Sequence, residues 1–408
     1  MKRRFFPRRM PKGVWVIAAT STVLMSGFGM IVPLIPVYGK KLGASATELG
    51  LLMAGLFAGR LLAQIPAGLA ADRLGRRPVL LGALAAYTVT CIGYASAESA
   101  QSLIAFRLLQ GIAAGFFGVA ARALLSDLAG PRSRGTAQGI YSASVNLGFV
   151  LGPVLGSLFA VKFDISVPFW LSACFSGAAL VALSLISYPK RKSASLSLRL
   201  PRRGWREACA DSRVRLLVGA NLTFTAGMSV IMTLFPVAGE AEIKGGLAFV
   251  GVAFTIAGIS GLLFGPLAGR LGDRLSRPPL LFCGTLLAAA EGTALFLTRS
   301  PALIGFGFFL GGIGAAAFHS TLHAAVGDLA AKSERGIATG IVGLAGEAGG
   351  IGGSFLAPLI WMRTDLKTPF GLQIAFAILA LIFILLLWRS KPLRPTHRAV
   401  LGEPILPG

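Results

Sequence analysis

The amino-acid sequence predicts an all-α integral membrane protein of twelve transmembrane helices, built as two parallel six-helix bundles related by a pseudo-two-fold axis along the membrane normal. Four observations predict it. The 408 residues are 54% hydrophobic and 13% charged, where soluble domains carry about a quarter charged residues. Apolar runs of about 20 residues, long enough to cross a hydrocarbon core of roughly 30 Å, recur along nearly the whole chain. The basic residues are sorted by side. Twelve spans put both termini on one face, whose tails and loops hold 30 of the 39 Lys and Arg; the opposite loops hold 7, and only Arg60 and Arg107 lie inside spans. Finally, the charged knot GLAADRLGRRP at 68–78 returns as GRLGDRLSRPP at 269–279, an offset of 201 residues. The net charge of +23 therefore marks a cytoplasmic face attracted to anionic lipid, not a nucleic-acid partner.

Residues 1–13, MKRRFFPRRMPKG, carry the charge of a signal-peptide start. The apolar run after them is about 25 residues, too long for a signal core, and no A-x-A-like site closes it convincingly. They are read as a cytoplasmic flank. Spans follow near 14–38, 47–70, 79–97, 101–121, 136–161 and 168–188, giving an N-terminal bundle at 14–188. The linker 189–215 holds nine Lys and Arg against two acids and reads as a solvated cytoplasmic connector. Spans near 216–238, 246–269, 280–297, 301–326, 336–361 and 370–388 give a C-terminal bundle at 216–388, followed by a cytoplasmic tail, 389–408. A six-span unit keeps its topology on repeating, so the halves are parallel copies. The repeat reaches beyond the knot. SDLAGPRSRGTAQGI at 126–140 matches GDLAAKSERGIATGI at 327–341, pairing Asp127 with Asp328, Arg134 with Arg335, Gly135 with Gly336 and Gly139 with Gly340. Cys91, Cys174 and Cys283 fall in spans and Cys209 in the linker, with no CxxC spacing. They read as small hydrophobes, not as disulfides or metal ligands.

Three motifs carry a family resemblance over about residues 14–388. Gly68, Ala71, Asp72, Arg73, Gly75, Arg76 and Arg77 match a loop 2–3 signature, G-x-L-A-D-R-x-G-R-R, with Ala70 where Leu is usual. RLLQG at 107–111 places Arg107 and Gln110 as in a span-4 signature, and Gly139, Gly148, Gly152, Pro153 and Gly156 match a span-5 antiporter pattern, with Ser157 for a final Gly. The chain thus resembles the major facilitator superfamily, in particular its twelve-span drug:proton antiporters, whose first span commonly carries prolines like those of IVPLIPVY at 31–38. Some of those antiporters carry an acid in span 1; this span 1 has none, so a proton carrier has to sit elsewhere.

The resemblance implies roles that physical chemistry constrains. Charges at mid-membrane cost at least about 2.5–3.5 kcal/mol unless they face protein or water. Arg60 is near the middle of span 2 and Glu347 near the middle of span 11, spans that adjoin between halves in the family. Two readings stay open: a static pair that locks the helices, or a pair that protonation of Glu347 breaks, coupling a proton to rocking. Arg107 has no charged repeat-mate, and the resemblance implies proton handling for it. Repeat arithmetic pairs Glu347 with Asn146; Asn146, Gln110 and His319 are candidate cavity-lining residues. Gly139, Gly148, Gly152 and Gly156 allow close helix approach, either for packing alone or for movement against the other half. The resemblance also implies a latch: Asp72 approaching the positive start of span 11 in one state, mirrored by Asp273 and the start of span 5. Arg73 or Arg76 would hold Asp127, and Arg274 or Arg277 would hold Asp328. His319 and His323, four apart on one face, lack an obvious third metal ligand. Glu291 in span 9 is expected to snorkel outward.

These readings converge on secondary active transport by alternating access, with proton-coupled efflux of small apolar or cationic compounds as the leading form. A sugar or metabolite exporter or facilitator is the alternative. HExxH, GxSxG and Walker A patterns are absent, which disfavours an enzyme. The expected partners are a small-molecule substrate, protons and the lipid bilayer, with no nucleic acid, no cofactor and no bound metal. The expected state is a monomer in the cell membrane with both termini cytoplasmic.

Overall fold

The computed structural model describes residues 10–129, 133–185, 210–329 and 335–390, without the side chains of Arg134, Asp273, Arg274 and Arg335. The expected basic tails, most of the linker and Cys209 lie outside the described residues. Within them every regular element is helical. Helices α1 (Lys12–Ile31) and α2 (Leu34–Lys41) make the first span. The next five are α3 (Ala46–Arg73), α4 (Arg76–Ala95), α5 (Ala100–Ala129), α6 (Arg134–Lys162) and α7 (Val167–Ser184). The second half holds α8 (Ser212–Glu242), α9 (Gly246–Arg274), α10 (Arg277–Leu297), α11 (Pro301–Leu329), α12 (Arg335–Trp361) and α13 (Thr368–Arg389). Twelve of these are long and apolar enough to cross a membrane.

Local chemistry sets the ends. Span 1 reads as one run but is interrupted at Val32–Pro33, since Pro33 has no N–H for the helical ladder. Ser45 and Glu48 form a capping box at the start of α3: Ser45 Oγ accepts from the Glu48 N–H, and Glu48 Oε2 accepts from the Ser45 N–H at 2.8 Å. Pro168, Pro278 and Pro369 sit in the first turns of α7, α10 and α13, where an N–H has no helical partner anyway. The knot at 68–78 is shorter as a loop than it looks. Asp72 and Arg73 complete α3, Arg76 opens α4, and the chain reverses through Leu74 and Gly75 with Gly75 at φ +93°. The second copy has Ser276 there, in extended backbone at φ −64°, so its turn uses no left-handed residue.

Helices α5 and α11 run past their expected ends, to 30 and 29 residues. The sequence ends these spans at 121 and 326. The helices run on because residues 122–129 and 327–329 carry no Pro or pair of helix breakers; a 30-residue helix is about 45 Å long and projects beyond the hydrocarbon. Arg122 therefore stands on a helical wall, not in a loop. The N-terminal core gathers around Leu84, Tyr94, Leu103 and Phe169, all fully buried. The C-terminal half has two apolar cores, around Phe224 and Phe318 and around Phe235, Phe308 and Phe370.

Candidate functional site

The halves meet chiefly through two helix pairs, α3 with α12 and α6 with α9, and both contacts lie toward the face away from the termini. Gly50 abuts the Ser354–Phe355 backbone, and Gly350 abuts the Phe57 ring. On the other pair, Gly251 packs on Pro153 and Ser157, Gly258 packs on Val150, and Thr255 Oγ1 donates to the Val150 carbonyl at 3.1 Å. At the outer rim Lys40 Nζ stands 5.9 Å from the Trp361 ring centroid. Toward the face of the termini the same helices part: a methyl added at Gly68, Gly139, Gly269 or Gly340 would meet no atom within 4 Å. The halves thus touch toward one face and part toward the basic face.

At the inner end of the closed zone Arg60 Nη2 lies 2.8 Å from Glu347 Oε1. The pair bridges the halves between α3 and α12. Its members differ in surroundings: the Arg60 side chain is 43% exposed, whereas Glu347 is 8% exposed, with Oε2 buried and unpartnered. One carboxylate oxygen is thus spent on the pair while the other has no donor. Gly261, the repeat-mate of Arg60, carries no charge, so the bridge exists on one side of the pseudo-symmetric interface only. Asn146 is exposed on α6, one turn from Val150.

Arg107 lies elsewhere. It is fully buried, packs beside Gly55 of α3, and donates through Nη1 to Gln110 Oε1 at 2.7 Å; Tyr94 donates its hydroxyl to the same oxygen at 2.9 Å. Gln110 is itself fully buried, which corrects its expected place on the cavity wall: its amide serves a closed polar cluster among α3, α4 and α5. No described carboxylate pairs with Arg107, and its Nε has no partner. Glu291 likewise departs from expectation. It does not snorkel; it is 2% exposed, with its carboxyl set against Gly311 of α11, where a missing side chain leaves room for it.

The knot residues separate into two kinds. Arg76 Nη1 binds Asp127 Oδ2 and donates to the Ala123 carbonyl, and Arg277 Nε meets Asp328 Oδ2 at 2.8 Å while Nη1 donates to the Gly272 carbonyl. The repeat places these two intra-half ties at equivalent positions, on Arg76 and Arg277. Arg77 Nη2 donates to the Ser184 carbonyl at 2.6 Å, and Arg73 is exposed. Asp72 is exposed at the end of α3; residues 331–334 and the Arg335 side chain, at the start of α12, lie outside the described residues. The mirror of Asp72, Asp273 with Arg274, lies outside the described residues.

The glycine pattern of α6 needs correction. A Cβ at Gly148, Gly152 or Gly156 would strike the α1 backbone at Thr22–Ser26, Ser26–Gly29 or Met30. The stripe faces α1 in its own half, while Val150, Pro153 and Ser157 face the other half. Gly139 is not part of it. Nine residues before Gly148, at about 100° each, it falls on the opposite side of the helix, and nothing packs on it.

His319 and His323 are exposed on α11. The His319 ring stands edge-on to Phe224 and Phe318, at 5.4 and 5.6 Å between centroids. Sequence reasoning assigned Arg122 to a loop; the structure puts it on α5, exposed and within electrostatic reach of His323. The signal was present, since Arg122 and His323 are repeat-mates at the offset of 201.

The geometry can be set against known proteins. A family model described as Major Facilitator Superfamily matches residues 17–261 and 217–404. The chain is 29% identical over 182 residues to an uncharacterized MFS-type transporter, MJ1560, of Methanocaldococcus jannaschii, covering 45% of this chain and 46% of that one. It is 25% identical over 261 residues to the quinolone resistance protein NorA of Staphylococcus aureus, covering 62% of this chain and 66% of that protein. The matched regions thus span less than two thirds of either relative. Among solved structures, the occupied, inward-facing form of a bacterial homologue of the human lysosomal transporter Spinster superposes with a TM-score of 0.75 at 15% identity, over 93% of this chain and 97% of that one. Twelve membrane-length helices, two half-molecules joined through small residues and a family match along nearly the whole chain make this protein a multi-pass membrane protein of the Major Facilitator Superfamily.

Proposed function

We propose that this protein exports small, mostly apolar compounds across the cell membrane in exchange for protons, by alternating access of a cavity between residues 14–188 and 216–388. The observation that supports this most is the Arg60–Glu347 pair. It is the innermost polar tie of the closed face, and the Glu347 carboxylate is the one mid-membrane acid that bridges the halves among the described residues. Protonating Glu347 cancels the attraction and leaves Arg60 to the cavity, so the tie weakens and the closed face is free to open. Asp72 then reaches the start of α12 as the basic face closes, and Arg107 serves proton movement only as the family resemblance implies. The basic loops orient the open face and both termini toward the cytoplasm. The likeness to NorA supports efflux as the direction. The cationic part of the expected substrate class finds no support in the cavity, whose mid-membrane acids are paired (Glu347) or shut away (Glu291).

The test is a proteoliposome loaded with a fluorescent apolar compound. An imposed proton gradient is expected to drive its movement, and collapse of that gradient by a protonophore to stop it. Flux equal in both conditions would leave a facilitator in place of an exchanger.

A further inference from the structure

The wall of the open cavity is chemically one-sided. Arg122 projects from α5 in the first half, and His319 and His323 project from α11 in the second; all three are exposed. They form a matched set. Arg122 is the repeat-mate of His323, and Gly118 is the repeat-mate of His319. Arg122 bends back over that glycine: its Nε donates to the Gly118 carbonyl at 3.1 Å, and Nη2 lies 3.3 Å from where a Gly118 Cβ would stand. The guanidinium thus occupies, in one half, the level that the His319 imidazole occupies in the other. The helix under it is fixed, because Gln138 Nε2 of α6 donates to the Arg122 carbonyl at 2.9 Å and to Ser126 Oγ. Arg122 and His323 lie within electrostatic reach of each other, as do His323 and His319. No described acid pairs with Arg122. Behind His319 the Phe224 and Phe318 rings stack at 3.8 Å inside the core of the second half, which fixes the wall that carries the imidazole.

A guanidinium and two imidazoles, all exposed and with no described acid paired to Arg122, suit a carboxylate or another oxyanion. We propose that Arg122, His319 and His323 form an anion-binding subsite on the cavity wall, and that the compounds this protein carries are organic anions with an apolar body. The proposal rests on the transport reading above for its meaning, but it is tested by binding alone.

Three probes of one shape separate the possibilities: 1-naphthylacetate, its neutral amide and 1-naphthylethylamine as the cation. Each is titrated calorimetrically into the purified full-length protein in nanodiscs, at constant ionic strength. The acid is expected to bind at least tenfold tighter than the amide or the amine. Arg122→Gln is expected to erase that preference while leaving amide affinity within about twofold, and Arg122→Lys to keep part of it. His319→Asn combined with His323→Asn is expected to reduce it severalfold without touching Arg122, which covers the case of an unstable Arg122→Gln protein. Equal affinity for acid and amide, tighter binding of the amine, or an acid preference that survives Arg122→Gln overturns the subsite. Acid preference without gradient-driven flux would overturn the exchange reading alone, and flux without acid preference would overturn the subsite alone.

Discussion

Single residues divide here by whether their charge is compensated. Arg277 is 7% and Asp328 16% exposed, against 27% for Arg76 and 17% for Asp127, so the two symmetric ties have unequal weight. A double-mutant cycle on Arg277 and Asp328, read by thermal unfolding in detergent, is expected to give a coupling of about 1–2 kcal/mol. The cycle on Arg76 and Asp127 is expected to give about 1 kcal/mol or less, because solvent screens that pair more. Gly75 is the other residue with a sharp expectation. Its φ of +93° lies where a side chain costs about 1–3 kcal/mol, so Gly75→Ala should lower the unfolding temperature, while Ser276→Ala, in extended backbone, should leave it nearly unchanged. At this scale the sequence was informative wherever the repeat applied. The offset pointed to Arg76 and Arg277 as the holders of Asp127 and Asp328, alongside Arg73 and Arg274. It was uninformative for Gln110 and Glu291, because which face of an all-apolar helix is buried depends on neighbours that periodicity does not name.

Helices show the same limit from the other side. Small residues four apart say that a backbone comes close but not which one. Gly148, Gly152 and Gly156 of α6 read equally well as a sliding surface between halves and as packing within one; the partner is α1. Gly152→Leu should therefore separate α1 from α6 and destabilise the protein by roughly 2 kcal/mol or more, seen as loss of monodisperse protein on size-exclusion chromatography. Gly139→Ala, on the opposite side of the helix with open space around it, should change stability by no more than about 0.5 kcal/mol. Hydropathy also ended α5 and α11 too early. A window average falls when a helix leaves the hydrocarbon, although the helix continues, and that misplaced Arg122 and hid the wall it shares with His323.

Across the whole molecule, the account reduces to one state and one tie. The twelve spans, their two-fold repetition and the unequal faces were legible because bilayer thickness and charge sorting leave marks in composition. The open side was not legible, since both states of a rocking transporter share one sequence. The structure holds the state that is open toward the termini, with the helices closed from Gly50 and Phe355 inward to Arg60 and Glu347. If protonation of Glu347 releases that closure, acid should shift the population toward the opposite state. Spin labels at positions 68 and 340, where side chains meet nothing, report the separation of α3 and α12 on the open face by pulsed electron paramagnetic resonance. The account predicts that lowering the pH shortens this distance in the otherwise native protein, and that Glu347→Gln holds the short distance at every pH. A distance that follows pH identically with and without Glu347, or does not move in either, would contradict it.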